Sequence, residues 1–281
     1  IWALQQQLKK GIFEPADYEL RFDAASDAKT LDFKLSDEEV MKLKGAIDRL
    51  DVYENDSDIY VKIVDYKTGA RQFDAAALYY GLQLQLVVYM EAAMDIKGRQ
   101  SGGKHVIPAG ILYYNINDPM IASSSVSVEA AEAENTEAAD EKILSALCMN
   151  GVVNSDAHVI ELLDQSFTGQ SDVIPVALNK DGTLSKKSSA VPTETFQRLF
   201  KFTSGKVREI GKNILDGHIE MNPYKMNLQG DGCQYCPYRP VCGFDETLEG
   251  FEYRKLRRLS KDSAWMEICR KGEDYERTLD N

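Results

Sequence analysis

The densest apolar run in this chain is Ile59 to Val64, made of β-branched residues and Tyr, and Gly69 closes it. That composition predicts a strand. Ahead of it, GAIDRLDVY alternates roughly between apolar and polar residues and predicts a second strand. The run ENDSD between them has the make-up of a hairpin loop, and strands joined so closely are antiparallel neighbours. Ala75 to Met94, rich in Ala, Leu and Gln, predicts one helix. Tyr18 to Phe22 predicts a strand. Val106 to Ile116 (VIPAGILYYNI) predicts a third buried strand, with Pro108 near its start, where proline is tolerated, and Asn117-Asp118-Pro119 as its end.

Other patterns fill in the rest. Helices are predicted over Ile1 to Lys10, with Trp2, Leu4 and Leu8 apolar, and over the Ala- and Glu-rich stretch from about Val128 to Met149. Another runs from Pro192-Thr193-Glu194 to about Asp216, with Phe196, Leu199, Phe200, Val207, Ile210 and Ile214 on its apolar side. Ser36-Asp37-Glu38-Glu39 reads either as a helix start before Val40 to Leu43 or as a loop. GRQSGGK, between Asp95 and His105, reads as a flexible connection. Within Asn154 to Ser189, the turn Lys180-Asp181-Gly182 lies between short apolar runs and predicts a small hairpin or lid-like excursion.

The chain has 281 residues, enough for one large domain or two small ones. It begins at Ile1 with no charged-then-apolar leader, and no apolar run is long enough to span a bilayer. The expectation is a piece of a longer soluble, cytoplasmic protein. Five cysteines, three of them clustered, fit a reducing compartment and a metal site better than a disulfide framework. The net charge of −12 runs against nucleic-acid binding. Much of the acid is local, however, at Glu129, Glu132, Glu134, Glu137, Asp140 and Glu141. Basic residues gather at Arg254, Lys255, Arg257, Arg258 and Lys261.

The chemistry starts in the paired strands. Asp48 and Asp65 can face each other across them, and two adjacent carboxylates repel unless a cation lies between. Mg²⁺ or Mn²⁺ takes such oxygen ligands together with water and phosphate. Lys67, two residues past Asp65, leaves the same strand face and can orient a water and stabilise charge on a phosphoryl group. This set suits phosphodiester hydrolysis by a metal-activated water. The blander alternatives are a solvated Asp-x-Lys turn and a plain Asp48–Arg49 ion pair.

The second constellation is Cys233-x-x-Cys236-x5-Cys242, in a polar loop stiffened by Pro237 and Pro240. Three thiols so placed favour metal ligation over core packing. Zinc or a [4Fe–4S] cluster would each take a further ligand, and the spacing does not separate them. Cys148 reads as a packed core thiol, and Cys269 as part of an amphipathic helix. His218 reads as a cap or a surface residue. No GxxxxGK[ST] loop for a nucleotide is present.

GAIDRLD, IVDYKTG and Gln85-x-x-x-Tyr89, followed by CQYCPYRPVCGFD, resemble the motifs of RecB-like nucleases in the PD-(D/E)XK superfamily. Within these they are similar to the AddB family of nuclease domains, from about Phe13 to Leu256. The resemblance implies an α/β restriction-endonuclease-like core, with a central mixed sheet flanked by helices and a C-terminal cysteine-cluster extension. It implies a nuclease domain over 1–226, an iron–sulfur motif over 227–250 and a basic C-terminal helix or tail over 251–281. Asp48 and Asp65 then match the metal-binding carboxylates, Lys67 the catalytic lysine and the Tyr66 carbonyl a backbone metal ligand. Gln85 and Tyr89 match side chains that contact the DNA end or brace the site. Their alternative is a helix merely packing on the sheet. Glu19, in FEPADYELRF, matches an acidic residue on the preceding strand.

The resemblance further implies Mg²⁺ or Mn²⁺, and a [4Fe–4S] cluster in the full-length protein whose fourth cysteine, like a histidine motif, lies upstream of Ile1. The implied substrate is single-stranded DNA ends delivered by an AddA-type helicase subunit, in double-strand break repair by recombination, with no membrane involved. Three alternatives remain: a CRISPR-adaptation-type iron–sulfur nuclease, a restriction-type endonuclease, and a non-catalytic DNA-binding scaffold with a structural metal.

Overall fold

The computed structural model describes residues 2–23, 31–117, 119, 134–165, 167–226 and 230–279. The chain opens with α1 (Trp2–Lys10) and β1 (Glu14–Phe22), then β2 (Leu31–Lys34) and β3 (Val40–Leu43). β4 (Gly45–Glu54) and β5 (Asp58–Lys67) form the hairpin expected around ENDSD. α2 (Ala75–Tyr79) and α3 (Gln85–Gln100) precede β6 (His105–Asn115), and α4 (Glu134–Ala146), β7 (Asn150–Asn154) and α5 (Ala157–Leu163) follow it. Then come β8 (Ala190–Val191), α6 (Thr193–Leu215), β9 (Tyr224–Met226), β10 (Gly230–Asp231), α7 (Arg239–Cys242), β11 (Arg254–Leu256) and α8 (Lys261–Leu279).

The chain divides into two compact units. The first, residues 1–32, 42–73 and 84–200, is built on a six-stranded sheet in the order β1-β4-β5-β6-β7-β8. Its pairing is mixed: β5 is parallel to β6 and β7 to β8, and the other neighbours are antiparallel. α3 packs across β4, β5 and β6. A core cluster of Phe13, Tyr60, Val64, Leu112 and Val153 is closed by Val159, Ile160, Leu162 and Leu163 of α5. β5 is buried along nearly its whole length, since helices cover both faces. This accounts for its unbroken apolar run.

The second unit comprises 33–41, 74–83 and 201–281. α2 packs on α8, and Tyr79 of α2 stacks on Phe202 with ring centroids 6.0 Å apart. A small sheet, β10-β9-β11, carries the cysteine-rich segment.

Several expectations change. The single helix expected over Ala75 to Met94 is two helices. Asp74 caps α2 by accepting from the Ala76 N–H at 2.7 Å, and Gly81 leaves it at a left-handed φ of 82°, the usual glycine exit from a helix. α3 then runs to Gln100, further than expected, and only its end leads into the glycines of GRQSGGK. Ser36 to Glu39 is not a helix start but the turn of the β2–β3 ribbon, with Leu35 N–H donating to Glu39 O at 2.9 Å. Val40–Leu43 is too short to nucleate a helix unaided. The helix read from Val128 is described only from Glu134, so its predicted start lies outside the described residues. β7 and α5 were not foreseen. At its basic C-terminal stretch, Arg254–Leu256 forms β11, parallel to β9, and the helix starts at Lys261.

Candidate active site

β4 and β5 pair with Arg49 opposite Val64 and Leu50 opposite Ile63. One further step in this register sets Asp48 against Asp65. Alternate strand residues leave opposite faces. Asp48, Asp65 and Lys67 therefore share the face over which α3 lies, and Arg49, Asp51 and Lys62 share the other.

On the α3 face, Asp48 Oδ2 accepts a 2.8 Å hydrogen bond from the Tyr66 backbone N–H. Lys67 Nζ stands 2.5 Å from Asp65 Oδ2 and 3.4 Å from Gln85 Oε1, and lies 5.8 Å above the Tyr113 ring. Gln85 in turn donates from Nε2 to the Tyr89 hydroxyl at 2.9 Å, the neighbouring-turn contact that a spacing of four allows. The Tyr89 ring meets Phe22 edge-on, with centroids 5.8 Å apart. Both rings close over Gly45, where a Cβ would stand 2.7 Å from Phe22 and 3.0 Å from Tyr89. The glycine opening the GAIDRLD motif is thus required by the packing under the site.

Asp65 is almost fully buried. Burial pushes its carboxyl above the usual carboxylate range and the nearby Asp48 charge adds to this, while the Lys67 ammonium and Arg71 pull it back. Its Oδ2 is buried with the ammonium beside it and no hydrogen bond of good geometry. Two carboxylates from adjacent strands, one with an oxygen left in that condition, fit a hard divalent cation in donor type and charge. Glu19 lies between Tyr18 and Leu20, which pair with Arg49 and Ile47, so the register sets it level with Asp48. It is exposed, with a left-handed φ of 50°. Among the described residues, no three acidic, His or Cys side chains gather as a metal set, so Glu19 is not drawn in with Asp48 and Asp65.

The opposite face holds a buried ionic group that the sequence reading did not find. Arg49 grips Asp51 with Nε and Nη2, both at 2.8 Å, and Lys62 Nζ reaches the same carboxylate at 2.9 Å. Arg49 also donates from Nη1 to the Tyr66 hydroxyl at 2.9 Å. Arg49, Asp51 and Lys62 are 3%, 0% and 5% exposed, so little solvent screens them. Burial lowers the Lys62 pKa against the pull of Asp51. Arg49 pairs with Asp51 rather than Asp48 because adjacent strand residues point apart. Tyr66 links the two faces: its ring is tied behind the sheet and its amide holds Asp48 in front. A lone lysine inside the apolar run IYVKIV was the available signal, since a buried charge needs a partner.

In the second unit, Cys233, Cys236 and Cys242 line one cavity of about 420 Å³ with Arg239, Phe244 and Tyr253. All are free thiols, and Asp231 Oδ1 fastens their loop by accepting the Cys233 N–H at 2.8 Å. In donor type they suit a soft metal or cluster, as three of the four thiolates that a Cys₄ zinc or [4Fe–4S] site takes, but as placed here the three are not gathered into a metal set. Cys148 belongs to the first unit. Its Sγ faces the Met149 and Ser171 carbonyls at 3.5 and 3.8 Å, as expected of a packed thiol.

A family model described as the PD-(D/E)XK nuclease superfamily matches residues 1–243. Among curated proteins, the chain is 39% identical to AddB of the ATP-dependent helicase/deoxyribonuclease of Lachnoclostridium phytofermentans, over 97% of this chain and 22% of that protein. It is 36% identical to the corresponding protein of Clostridium kluyveri, over 98% and 23%. With that of a Thermoanaerobacter species it shares 31%, over 94% and 22%. The chain thus spans less than a quarter of the length of these relatives.

Proposed function

This chain belongs to the PD-(D/E)XK nuclease superfamily, and we propose that it is the DNA-hydrolysing domain of an AddB-type helicase–nuclease subunit. The observation that carries this reading is the convergence of Asp48, Asp65 and Lys67 on one face of the β4–β5 pair, with Gln85 of α3 in reach of Lys67. Asp48, Asp65 and the Tyr66 carbonyl would hold Mg²⁺ or Mn²⁺. The ion would supply Lewis acidity toward the phosphate and lower the pKa of a water at neutral pH. Lys67 orients the attacking water and stabilises the charge that grows on the phosphoryl oxygens. Gln85 holds the Lys67 ammonium from the far side, and with Tyr89 it lines the path of the strand.

The substrate in this reading is a single-stranded DNA end delivered by an AddA-type helicase subunit, as an exonuclease step of recombinational repair in the cytoplasm. Among the described residues no helix is long and apolar enough to cross a membrane. Exposed Arg254, Lys255, Arg257 and Arg258 offer phosphate contacts despite the net charge of −12. The three loop cysteines would bind a [4Fe–4S] cluster, completed by a cysteine elsewhere in the polypeptide. Iron and labile-sulfide analysis of full-length protein prepared anaerobically separates that cluster from zinc.

The decisive experiment is Lys67→Ala in the full-length protein, assembled with its helicase partner. DNA hydrolysis should disappear while unwinding and folding persist. Unchanged hydrolysis would remove Lys67 from the mechanism.

A further inference from the structure

Arg71 is exposed, four residues past Lys67 in the loop that leaves β5, yet its backbone is held like that of a core residue. Its N–H donates to Asn115 Oδ1 at 3.1 Å. Its carbonyl accepts from both Asn115 Nδ2 and Asn150 Nδ2, each at 2.9 Å. Asn150 Oδ1 then accepts the Phe73 N–H, also at 2.9 Å. Asn115 ends β6 and Asn150 begins β7, so two sheet strands hold one loop residue. Water could satisfy these loop groups at little cost. What the two amides add is a fixed origin for the Arg71 side chain.

That side chain lies near the site. Arg71 is close enough to Tyr113 to hold its hydroxyl pKa down against the rise that burial causes, and the Tyr113 ring also lies beneath the Lys67 ammonium. It is close enough to Asp65 to favour the ionised carboxylate. Lys67 and Arg71 therefore flank Asp65 and Tyr113. A guanidinium carries five donors in a planar fork. Such a fork matches the paired oxygens of a phosphate, whereas the Lys67 ammonium acts as a point charge.

We propose that Arg71 is a DNA-binding residue of this site, gripping the non-bridging oxygens of a strand phosphate, with Asn115 and Asn150 as its positioning residues. This rests on the nuclease reading above. The test uses Arg71→Gln in the full-length protein with its helicase partner. The Asn115 and Asn150 bonds go to the backbone and survive this change. On a single-stranded oligonucleotide with Mg²⁺, KM should rise about tenfold with kcat within about twofold, the signature of lost uniform binding. The slope of log kcat/KM against log salt should become shallower by about 0.7, the value for one phosphate contact to a single strand. Oligonucleotide binding measured without divalent metal should weaken in parallel, and Arg71→Lys should recover part of both losses. An unchanged KM and salt slope, in a complex that cleaves DNA and loses cleavage with Lys67→Ala, would overturn the inference alone. A wild-type complex that cleaves no DNA with Mg²⁺ supplied would overturn the nuclease reading and this inference with it.

Discussion

The Tyr66 backbone amide donates to Asp48 Oδ2 at 2.8 Å, joining the end of β5 to a carboxylate on β4. The bond orients Asp48 before any ligand arrives, using a donor no substitution at Tyr66 other than proline can remove. Asp48→Asn keeps an acceptor oxygen there and removes only the charge. The fold should survive, as read by hydrogen exchange over β4 and β5. Divalent-metal affinity, followed by calorimetry, should fall by more than the ~10–100-fold typical of losing a group that merely supports a ligand. Hydrolysis should fall with it. Full metal affinity in this variant would take Asp48 out of the site.

Behind the sheet, the Asp51 carboxylate is shared by two buried cations, Arg49 and Lys62. Removing one partner of a buried ion pair leaves charge without compensation, at a cost of about 3–5 kcal/mol. Asp51→Ala should therefore raise amide exchange in β4 and β5 and lower the thermal midpoint of the full-length protein. Tyr66→Phe removes only the hydroxyl that Arg49 grips and should cost about 1 kcal/mol. Equal stability of Asp51→Ala and wild type would show that the triad is not ionised as drawn.

Gly45→Ala should strain the floor of the site. The new methyl would meet Phe22 at 2.7 Å and Tyr89 at 3.0 Å, and Phe22 is fully buried with no room to yield. Overpacking of this kind costs about 1–3 kcal/mol. Because Tyr89 holds Gln85, and Gln85 reaches Lys67, the midpoint should fall and the rate of DNA hydrolysis with it. A fall in stability with an unchanged rate would separate Tyr89 from the chemistry.

The Cys148 thiol is pushed up to about 12, by burial first and then by the negative charges of Asp172 and Asp164. A raised thiol pKa keeps the neutral form dominant below that value, so the reactive thiolate is scarce near pH 8. Iodoacetamide at pH 8, read by mass spectrometry, should leave Cys148 unmodified in native protein and label it after denaturation. Native labelling as fast as that of exposed Cys242 would contradict the raised pKa of this half-buried thiol.

The hairpin, its loop and the strand over Val106 to Ile116 were legible because local composition sets them: β-branched runs, a polar turn and a proline near a strand start. So was the spacing of Asp65 from Lys67, since strand alternation alone puts them on one face. The break in the Ala75–Met94 helix was harder to read, because one glycine among good helix formers is a weak signal until its φ is known. β7 and α5 are short, and neighbouring strands and core contacts define them more than their own pattern does.

By itself, then, the order of residues determined the family motifs, the hairpin that carries them and the clustering of three thiols, all of which depend on neighbours a few positions apart. Only the tertiary structure decided that Arg49 turns away from Asp48 to grip Asp51, that Lys62 is buried with them, and that Asn115 and Asn150 clamp Arg71. Those contacts join residues 2 to 79 positions apart, and strand register and face bring them together, which no local pattern encodes.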